Sequence, residues 1–303
     1  MSGTEQTSDL RHRLIDRPVL LDGGLSTTVE MLGHDISGQL WSARLLLDSP
    51  EAIIEAHRAF FAAGAEVATT ASYQATFDGF AAHGISRGQA AELMTRSVAL
   101  AKEAANEVTD RPTWVAASMG PYGAMLADGS EYHGHYGLTV GELREFHRPR
   151  IEVMAAAGAD VLAFETLPCS AELEAVLIEI DAIGSDCWVS LSIEGSRTRA
   201  GEPIADVAAM VKDIDAVVAF GVNCSTPSDA TEALAAVARS DKPVIVYPNS
   251  GEGWNAVERT WVATESDPSF PIPRWVAEGA RLVGGCCRVT PGDISAMAVQ
   301  LAE

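Results

Sequence analysis

Short apolar runs and Ala-rich amphipathic stretches alternate along the whole 303-residue chain, and this alternation limits the possible folds more than any other feature. The β-branched apolar runs predict eight strands, at residues 18–21, 65–70, 114–118, 161–164, 188–193, 216–222, 244–247 and 281–283. The amphipathic stretches predict eight helices, near residues 50–63, 86–108, 141–157, 170–183, 203–213, 228–239, 272–279 and 291–302. This repeat predicts one α/β domain over residues 1–303, either a (β/α)₈ TIM barrel or a doubly wound sheet.

Polar and glycine-rich motifs follow seven of the eight predicted strands and favour the barrel. They are Asp22-Gly23-Gly24, Tyr73-Gln74, Gly120-Pro121-Tyr122, Glu165-Thr166, Asn223-Cys224, Pro248-Asn249-Ser250 and Cys286-Cys287. A barrel carries its active site at the carboxyl ends of all its strands, whereas a doubly wound sheet concentrates such residues near one switch point. Residues 1–15 are predicted to form a flexible N-terminal extension. Pro149 predicts a kink or a restart in its helix.

The charge balance restricts the partners that the chain is expected to bind. Lys and Arg number 21 whereas Asp and Glu number 42, so the formal net charge is −21. Such a field repels phosphate backbones and anionic lipid, which argues against nucleic acid and membrane partners and for small-molecule substrates. The sequence has neither a bilayer-length apolar stretch nor an apolar signal-peptide core, which predicts a cytoplasmic protein. Its five cysteines are then expected to be reduced, for metal binding or catalysis.

Three of these cysteines form the most informative pattern in the sequence. Cys224 ends the sixth predicted strand, and Cys286 and Cys287 follow the eighth, after two glycines that allow the backbone to turn. Strands six and eight are near neighbours in an eight-stranded ring, so the three sulfur atoms can converge. Three protein ligands with one open position are typical of a catalytic zinc site. The alternative, three small buried hydrophobic residues, fits a pair of adjacent, glycine-flanked cysteines poorly.

The other cysteines and the histidines have weaker patterns. Cys187 opens an apolar strand and is predicted to lie in the core, and Cys169 has no partner at ligand spacing. His133 and His135 alternate in a glycine-containing segment, which is more typical of a solvated loop than of a zinc pair. The prediction of a metal site therefore depends on the three rim cysteines.

Carboxylates and aromatic residues at the same rim suggest how a substrate is held. Asp22 and Glu165 each close an apolar run and are predicted to bind an ammonium group, while the amides of Gly23 and Gly24 cradle a carboxylate. The structural alternatives are an Asx turn at Asp22 and a helix N-terminal position for Glu165. Aromatic rim residues suit a cationic donor, although hydrophobic packing under loops is the alternative for each of them: Trp41, Tyr73, Phe77 and Tyr122.

Taken together, these motifs resemble the homocysteine S-methyltransferase family, in particular its branch that uses S-methylmethionine or S-adenosylmethionine. The resemblance extends over nearly the whole chain. It is carried by LDGG at 21–24, LWSARLL at 40–46, ASYQAT at 71–76, GPYGAMLADGSEY at 120–132, FHRPR at 146–150, ETLP at 165–168, GVNC at 221–224, YPNSGE at 247–252 and GGCCRVTP at 284–291. GVNC with GGCC is its most specific part. Gly24 departs from the alanine that relatives often carry, and the strand around Ser190–Ile193 also differs.

The resemblance implies a (β/α)₈ fold and three groups of site residues. The metal ligands for Zn²⁺ are expected to be Cys224, Cys286 and Cys287. The expected homocysteine contacts are Asp22, Gly23, Gly24, Glu165 and Asn223. The expected contacts to the methyl donor are Trp41, Tyr73, Gln74, Tyr122 and Asn249.

The resemblance also implies a mechanism without a protein nucleophile. Zinc lowers the pKa of the bound homocysteine thiol, and the zinc-bound substrate thiolate attacks the methyl group of a sulfonium to form methionine. Three alternatives remain at this point. The same barrel could use betaine or another methyl donor, the thiols could serve a non-catalytic zinc or redox-sensing protein, or the barrel could carry a Schiff-base lysine. Against the last, Lys102, Lys212 and Lys242 all fall away from the predicted rim.

Overall fold

The computed structural model describes residues 9–36, 41–255, 260–262 and 270–302, and eight parallel strands form its centre. In chain order they are β1 (Val19–Leu20), β2 (Val67–Thr69), β3 (Trp114–Met119), β4 (Val161–Leu167), β5 (Cys187–Leu191), β6 (Val217–Asn223), β7 (Val244–Tyr247) and β8 (Ala280–Val283). Each strand pairs with the next along the chain, and β8 pairs with β1. A parallel bridge between Leu21 and Val67 joins β1 to β2 and completes the ring. The predicted TIM barrel is confirmed.

Helices cover the outside of the barrel, and all eight predicted helices are present. They are Pro50–Ala62, Arg87–Asn106, Val140–Ala156, Ser170–Ile183, Ile204–Val211, Pro227–Val237, Ile272–Ala277 and Pro291–Ala302. Three further helices precede them, at Leu10–Asp16, Leu25–Met31 and Trp41–Asp48, and two more lie between them, at Phe77–Ala82 and Tyr122–Leu126. Helix Val140–Ala156 continues through Pro149, so the predicted restart is absent. Over the described ranges, no helix has both the length and the apolarity needed to cross a membrane.

The first helix corrects the prediction of a flexible extension through residue 15. Leu10–Asp16 is helical, and its Asp9 cap accepts a hydrogen bond from the Arg11 amide at 3.1 Å. Leu10 and Leu14 are buried in the cluster that fills the barrel interior, because their four-residue spacing places both on one helix face. Arg11 also binds Asp186, just before β5. The helix therefore closes the end of the barrel opposite the carboxyl ends of the strands.

Alternate residues of the strands face two different apolar layers. Leu21 and Trp188 belong to the interior cluster, whereas Leu20 and Val189 pack in the larger layer between the sheet and the helices. This alternation follows from the two-residue period of a strand. Both layers are apolar, so the strands read as nearly continuous apolar runs in the sequence.

We expect Gly221→Ala to destabilise the barrel by about 1–3 kcal/mol, the usual cost of overpacking a core. A Cβ atom at Gly221, on β6, would collide with the backbone carbonyl of Ile245 on β7, which cannot move without breaking the sheet. The measurement is the midpoint of urea unfolding. Gly88→Ala is the matched control, because a Cβ atom there meets nothing within 4 Å. Equal midpoints for the two variants would contradict this account of strand packing.

Candidate functional site

Three cysteine sulfur atoms converge at the carboxyl end of the barrel, as the sequence predicts. Cys224 directly follows β6, and Cys286 and Cys287 follow β8. Only β7 lies between these two strands in the ring. Their Sγ atoms all lie within 4.8 Å of one another. Cys224 and Cys286 are joined as a disulfide, with Cα atoms 5.6 Å apart, while Cys287 has a free thiol. A metal requires the reduced form of the pair, because thiolates are the ligands.

The free thiol of the cluster lies in an environment that disfavours its anion. Burial raises the pKa of Cys287 to about 11, and the negative charges of Glu165 and Glu131 add to this effect. A cation placed among the three sulfur atoms would favour the thiolate over the neutral thiol, because its positive charge stabilises the anion. The cluster is therefore suited to hold a positive metal ion.

The turns that carry the cysteines have a different cause from the expected one. Neither Gly284 nor Gly285 has a positive φ; the positive values occur at Cys224, +43°, and Arg288, +66°. The first glycine is needed for a close approach instead, since a Cβ atom at Gly284 would lie 2.6 Å from the Cβ atom of Leu21 and 2.9 Å from the Asp22 carbonyl. The segment after β8 thus packs directly against the segment after β1.

A cavity of about 150 Å³ lies beside the cysteines at the carboxyl end of the barrel. Its walls come from the ends of β1 to β4 and of β6 to β8, together with the loops that follow β1 to β3. The lining residues are Asp22, Gly23, Gly24, Leu25, Ser26, Thr69, Thr70, Ala71, Tyr73, Gln74, Ser118, Glu131, Tyr132, Glu165, Thr166, Cys224, Tyr247, Gly285, Cys286 and Cys287.

Asp22 is one of two buried carboxylates at the bottom of this cavity. Its Oδ2 accepts a hydrogen bond from the Thr69 amide at 2.7 Å, and its Oδ1 accepts one from the Thr69 hydroxyl at 2.8 Å. Burial raises the pKa of Asp22 to about 8, opposed in part by these bonds and helped by the charge of Glu165. An ammonium group entering the cavity would lower this pKa again, because it favours the anion.

Glu165, the second buried carboxylate, is held by two hydroxyl groups. Ser118 donates a hydrogen bond to Oε1, and Tyr247 donates one to Oε2 at 3.0 Å. Trp188 in turn donates to the Tyr247 hydroxyl at 3.3 Å, and the Ser190 hydroxyl lies 2.6 Å from it. Burial raises the pKa of Glu165 above its usual value. Each carboxylate oxygen has lone pairs beyond those in use, so both Glu165 and Asp22 can still accept from a cation.

Asn223, which was predicted to contact homocysteine, is not among the residues that line the cavity, and its side chain fixes Thr166 near the end of β4. Its Oδ1 accepts from the Thr166 amide and its Nδ2 donates to the Thr166 hydroxyl, both at 2.8 Å. These bonds hold a β-branched residue at φ +65°, a strained conformation. Asn223 Nδ2 also lies 4.0 Å from the Cys286 sulfur, so it links the cluster of three cysteines to β4, the strand that carries Glu165.

The predicted donor contacts divide into two groups. Tyr73 and Gln74 line the cavity. Tyr122 does not: its ring packs edge-on against Tyr136 and Phe146, with centroids 5.3 and 5.1 Å away. Asn249 is also outside the lining, and its Oδ1 accepts from the Cys287 amide at 3.1 Å. Trp41 begins a helix, but its side chain lies outside the described residues.

The predicted carboxylate cradle is only partly available. Gly23 and Gly24 both line the cavity, but the Gly24 amide donates to the Val289 carbonyl at 2.9 Å. A Cβ atom at Gly24 would lie 2.8 Å from the Cys286 carbonyl. The role of Gly24 is therefore to let the backbone after β1 approach the cysteine segment.

A buried charged network supports the loop after β3. Glu172 Oε1 accepts from the Tyr122 amide at 2.5 Å and from His147 Nε2 at 2.8 Å, and Arg150 donates to the Gly120 carbonyl. His147, Arg150 and Glu172 are each at most 1% exposed. The FHRPR motif thus has a structural role: it fixes the loop that borders the cavity.

Comparison with known proteins agrees with this geometry. A family model described as homocysteine S-methyltransferase matches residues 19–301. The chain belongs to the homocysteine S-methyltransferase family. It is 42% identical to homocysteine S-methyltransferase YbgG of Bacillus subtilis over 304 residues, which cover 95% of this chain and 96% of the relative. The resemblance inferred from the motifs is confirmed.

Solved structures of a bacterial family member share the fold. The homocysteine methyltransferase MmuM from Escherichia coli, in its metallated form, matches with a TM-score of 0.85 and 41% identity, covering 95% of this chain and 98% of that chain. Its oxidized form matches with a TM-score of 0.86 and 41% identity, covering 96% and 98%. MmuM thus exists in a metallated form, and this chain has a cluster of three cysteines that could hold a metal ion.

Several residues of the site were missed by sequence reasoning. Thr69, Ser118 and Tyr247 hold the two carboxylates, and each lies at the end of a barrel strand, where the position alone was a signal. Glu131 and Tyr132 line the cavity from the loop between β3 and the following long helix. They belong to GPYGAMLADGSEY, the segment by which the family resemblance was recognised, but no pattern within it singled them out.

Proposed function

We propose that this protein is a zinc-dependent methyltransferase that moves a methyl group from a sulfonium donor to the thiol of homocysteine and so forms methionine. The observation that carries the proposal is the convergence of three cysteine sulfur atoms within 4.8 Å at the wall of a cavity that also contains two buried carboxylates. Membership of the homocysteine S-methyltransferase family supports the same reaction.

The donor set fits zinc. Cys224, Cys286 and Cys287 provide three sulfur ligands, and zinc is normally four-coordinate with one open position in catalytic sites. All three cysteines line the cavity, so they would hold the ion at the wall of the space that is available to a substrate. When bound, zinc supplies Lewis acidity that holds a thiol as its anion near neutral pH.

The remaining residues of the cavity bind and orient the two substrates. Asp22 and Glu165 are placed to receive the ammonium group of homocysteine, which restores the charged state that burial disfavours. The thiolate sulfur forms a bond to the methyl carbon, while the bond from that carbon to the sulfonium breaks and its electron pair stays on the departing thioether. The substrate thiol first releases its proton to water, and the opposite charges of the thiolate and the sulfonium then disappear as the methyl group moves. Exclusion of water and fixed attack geometry therefore accelerate the step.

We expect S-methylmethionine to be a better donor than S-adenosylmethionine by about tenfold or more, and betaine to be inactive. An adenosyl group brings polar atoms that require partners, and each buried unpaired polar group costs about 1–3 kcal/mol. The measurement supplies reduced, zinc-loaded protein with homocysteine and each donor separately, at equal concentrations, and follows methionine.

A donor with a labelled methyl group shows that the methyl reaches homocysteine. This control is needed because S-methylmethionine itself becomes methionine when it loses the methyl group. Betaine turnover above that of both sulfonium donors would contradict the choice of donor. No labelled methionine from any donor would contradict the proposed function and favour a non-catalytic thiol protein.

A further inference from the structure

A third carboxylate, Glu131, lines the cavity and differs from the other two in its hydrogen bonding. Asp22 and Glu165 use both of their oxygen atoms in hydrogen bonds. The Oε2 atom of Glu131 is buried and has no hydrogen-bond partner within the described part of the chain. Burial, with the nearby charge of Asp128, raises the pKa of Glu131, and no basic side chain counteracts it among the described residues. Buried polar atoms are normally paired, so this acceptor calls for a ligand.

Gln74 presents a second unpartnered acceptor to the same cavity. Its Nε2 donates to the Ala124 carbonyl at 3.2 Å, which leaves Oε1 buried and without a partner in the described ranges. The backbone of Glu131 packs against Gly123, so that a Cβ atom there would collide with it. Gln74 and Glu131 therefore both border the short helix Tyr122–Leu126, and both line the cavity.

The chemistry of this pair defines its ligand. One acceptor is neutral and the other is a carboxylate, so the matching group is a cation that carries N–H donors. A primary ammonium group meets both requirements. The quaternary nitrogen of betaine is cationic but has no N–H, and so it would leave both oxygen atoms unpaired.

We propose that Glu131 and Gln74 bind the α-ammonium group of the methyl donor and thereby select sulfonium amino acids over donors that lack an N–H group. This inference rests on the proposed methyltransferase function. It assigns separate carboxylates to the two substrates, with Asp22 and Glu165 for homocysteine and Glu131 for the donor. S-methylmethionine and S-adenosylmethionine both carry the selected group, so their relative rates depend on other contacts.

The test compares S-methylmethionine with its analogue that lacks only the amino group, in wild-type protein and in Glu131→Gln. Hydrogen bonds to charged groups are strong, so wild type is expected to favour S-methylmethionine in kcat/KM by about tenfold to hundredfold. Glu131→Gln should reduce that preference to about threefold or less, since the neutral amide loses most of the charge-assisted contribution. The KM for homocysteine and the zinc content should remain at their wild-type values.

Two further variants make the result decisive. Glu145→Gln removes the same charge from an exposed position on another helix and should keep the full donor preference. Gln74→Leu removes the neutral acceptor at similar size and should reduce the preference by a smaller factor; it also tests the site if Glu131→Gln proves unstable. An unchanged preference in both cavity variants would overturn the inference, as would a rise in homocysteine KM without a change for the donor. If wild type makes no methionine from any donor, the proposed function itself has failed.

Discussion

Cys286→Ala protein is expected to lose its zinc and its methyl transfer activity together. Removing a group that merely hydrogen-bonds a ligand costs about 10–100-fold in metal affinity, so the loss of a ligand should exceed about 100-fold. Two sulfur ligands would remain, Cys224 and Cys287, at a site whose substrate position must also be filled. The measurements are metal content per chain, by elemental analysis of reduced protein, and methionine formation with added zinc.

Cys169→Ala is the matched control for this experiment. Cys169 is a buried cysteine, 5% exposed, that is not part of the cluster of three sulfur atoms. The Cys169→Ala protein should retain stoichiometric zinc and wild-type turnover. Full activity in Cys286→Ala, or no metal in reduced wild-type protein, would remove the basis for a metal-dependent reaction. Because Cys224 and Cys286 are joined as a disulfide in this structure, reduction before loading is essential.

The barrel and the cluster of three cysteines could be predicted from the sequence because the regular strands and helices determine both. A parallel strand buried on both faces gives a continuous apolar run, and the following residue lies at the rim. Cys224 follows β6, and Glu165 lies near the carboxyl end of β4, so counting strands was enough to bring them to one end of the barrel. The helix at Leu10–Asp16 was missed, because seven residues with few apolar positions give too short a pattern.

The donor side of the cavity could not be predicted, because the path of a loop determines it. The segment between β3 and the helix that begins at Val140 reverses direction at Ala127 and Gly129, both with positive φ, and this returns Glu131 to the cavity. The same segment turns Tyr122 away toward Phe146. Sequence adjacency to a strand end does not specify the direction of a side chain in such a loop.

The buried amide of Asn223 illustrates a further limit. Its place at the end of β6, next to a metal ligand, made it a plausible substrate contact. Both of its polar atoms form hydrogen bonds with Thr166, one with the amide and one with the hydroxyl, and these bonds support a positive φ that a β-branched residue rarely adopts. That requirement depends on a residue 57 positions away, which no local pattern reveals.

Glu165→Gln is expected to raise the homocysteine KM by about tenfold to hundredfold, because a charge-assisted hydrogen bond contributes about 1.5–3 kcal/mol. The amide keeps the size of the side chain and can still accept a hydrogen bond from Ser118, so the variant tests the charge rather than the packing. Asp22 remains to hold the substrate, which is why the effect should be a weaker affinity rather than a complete loss. The measurement is the homocysteine dependence of methionine formation at saturating donor.

The pattern of effects separates this role from a purely structural one. Zinc content and the KM for the donor should be unchanged in Glu165→Gln, because its charge acts on the homocysteine ammonium and not on the sulfonium. Glu174→Gln, an exposed glutamate on the helix that follows the same strand, should leave both KM values at wild type. An unchanged homocysteine KM in Glu165→Gln would mean that its hydrogen bonds with Ser118 and Tyr247 only support the barrel, and that Asp22 binds the ammonium alone.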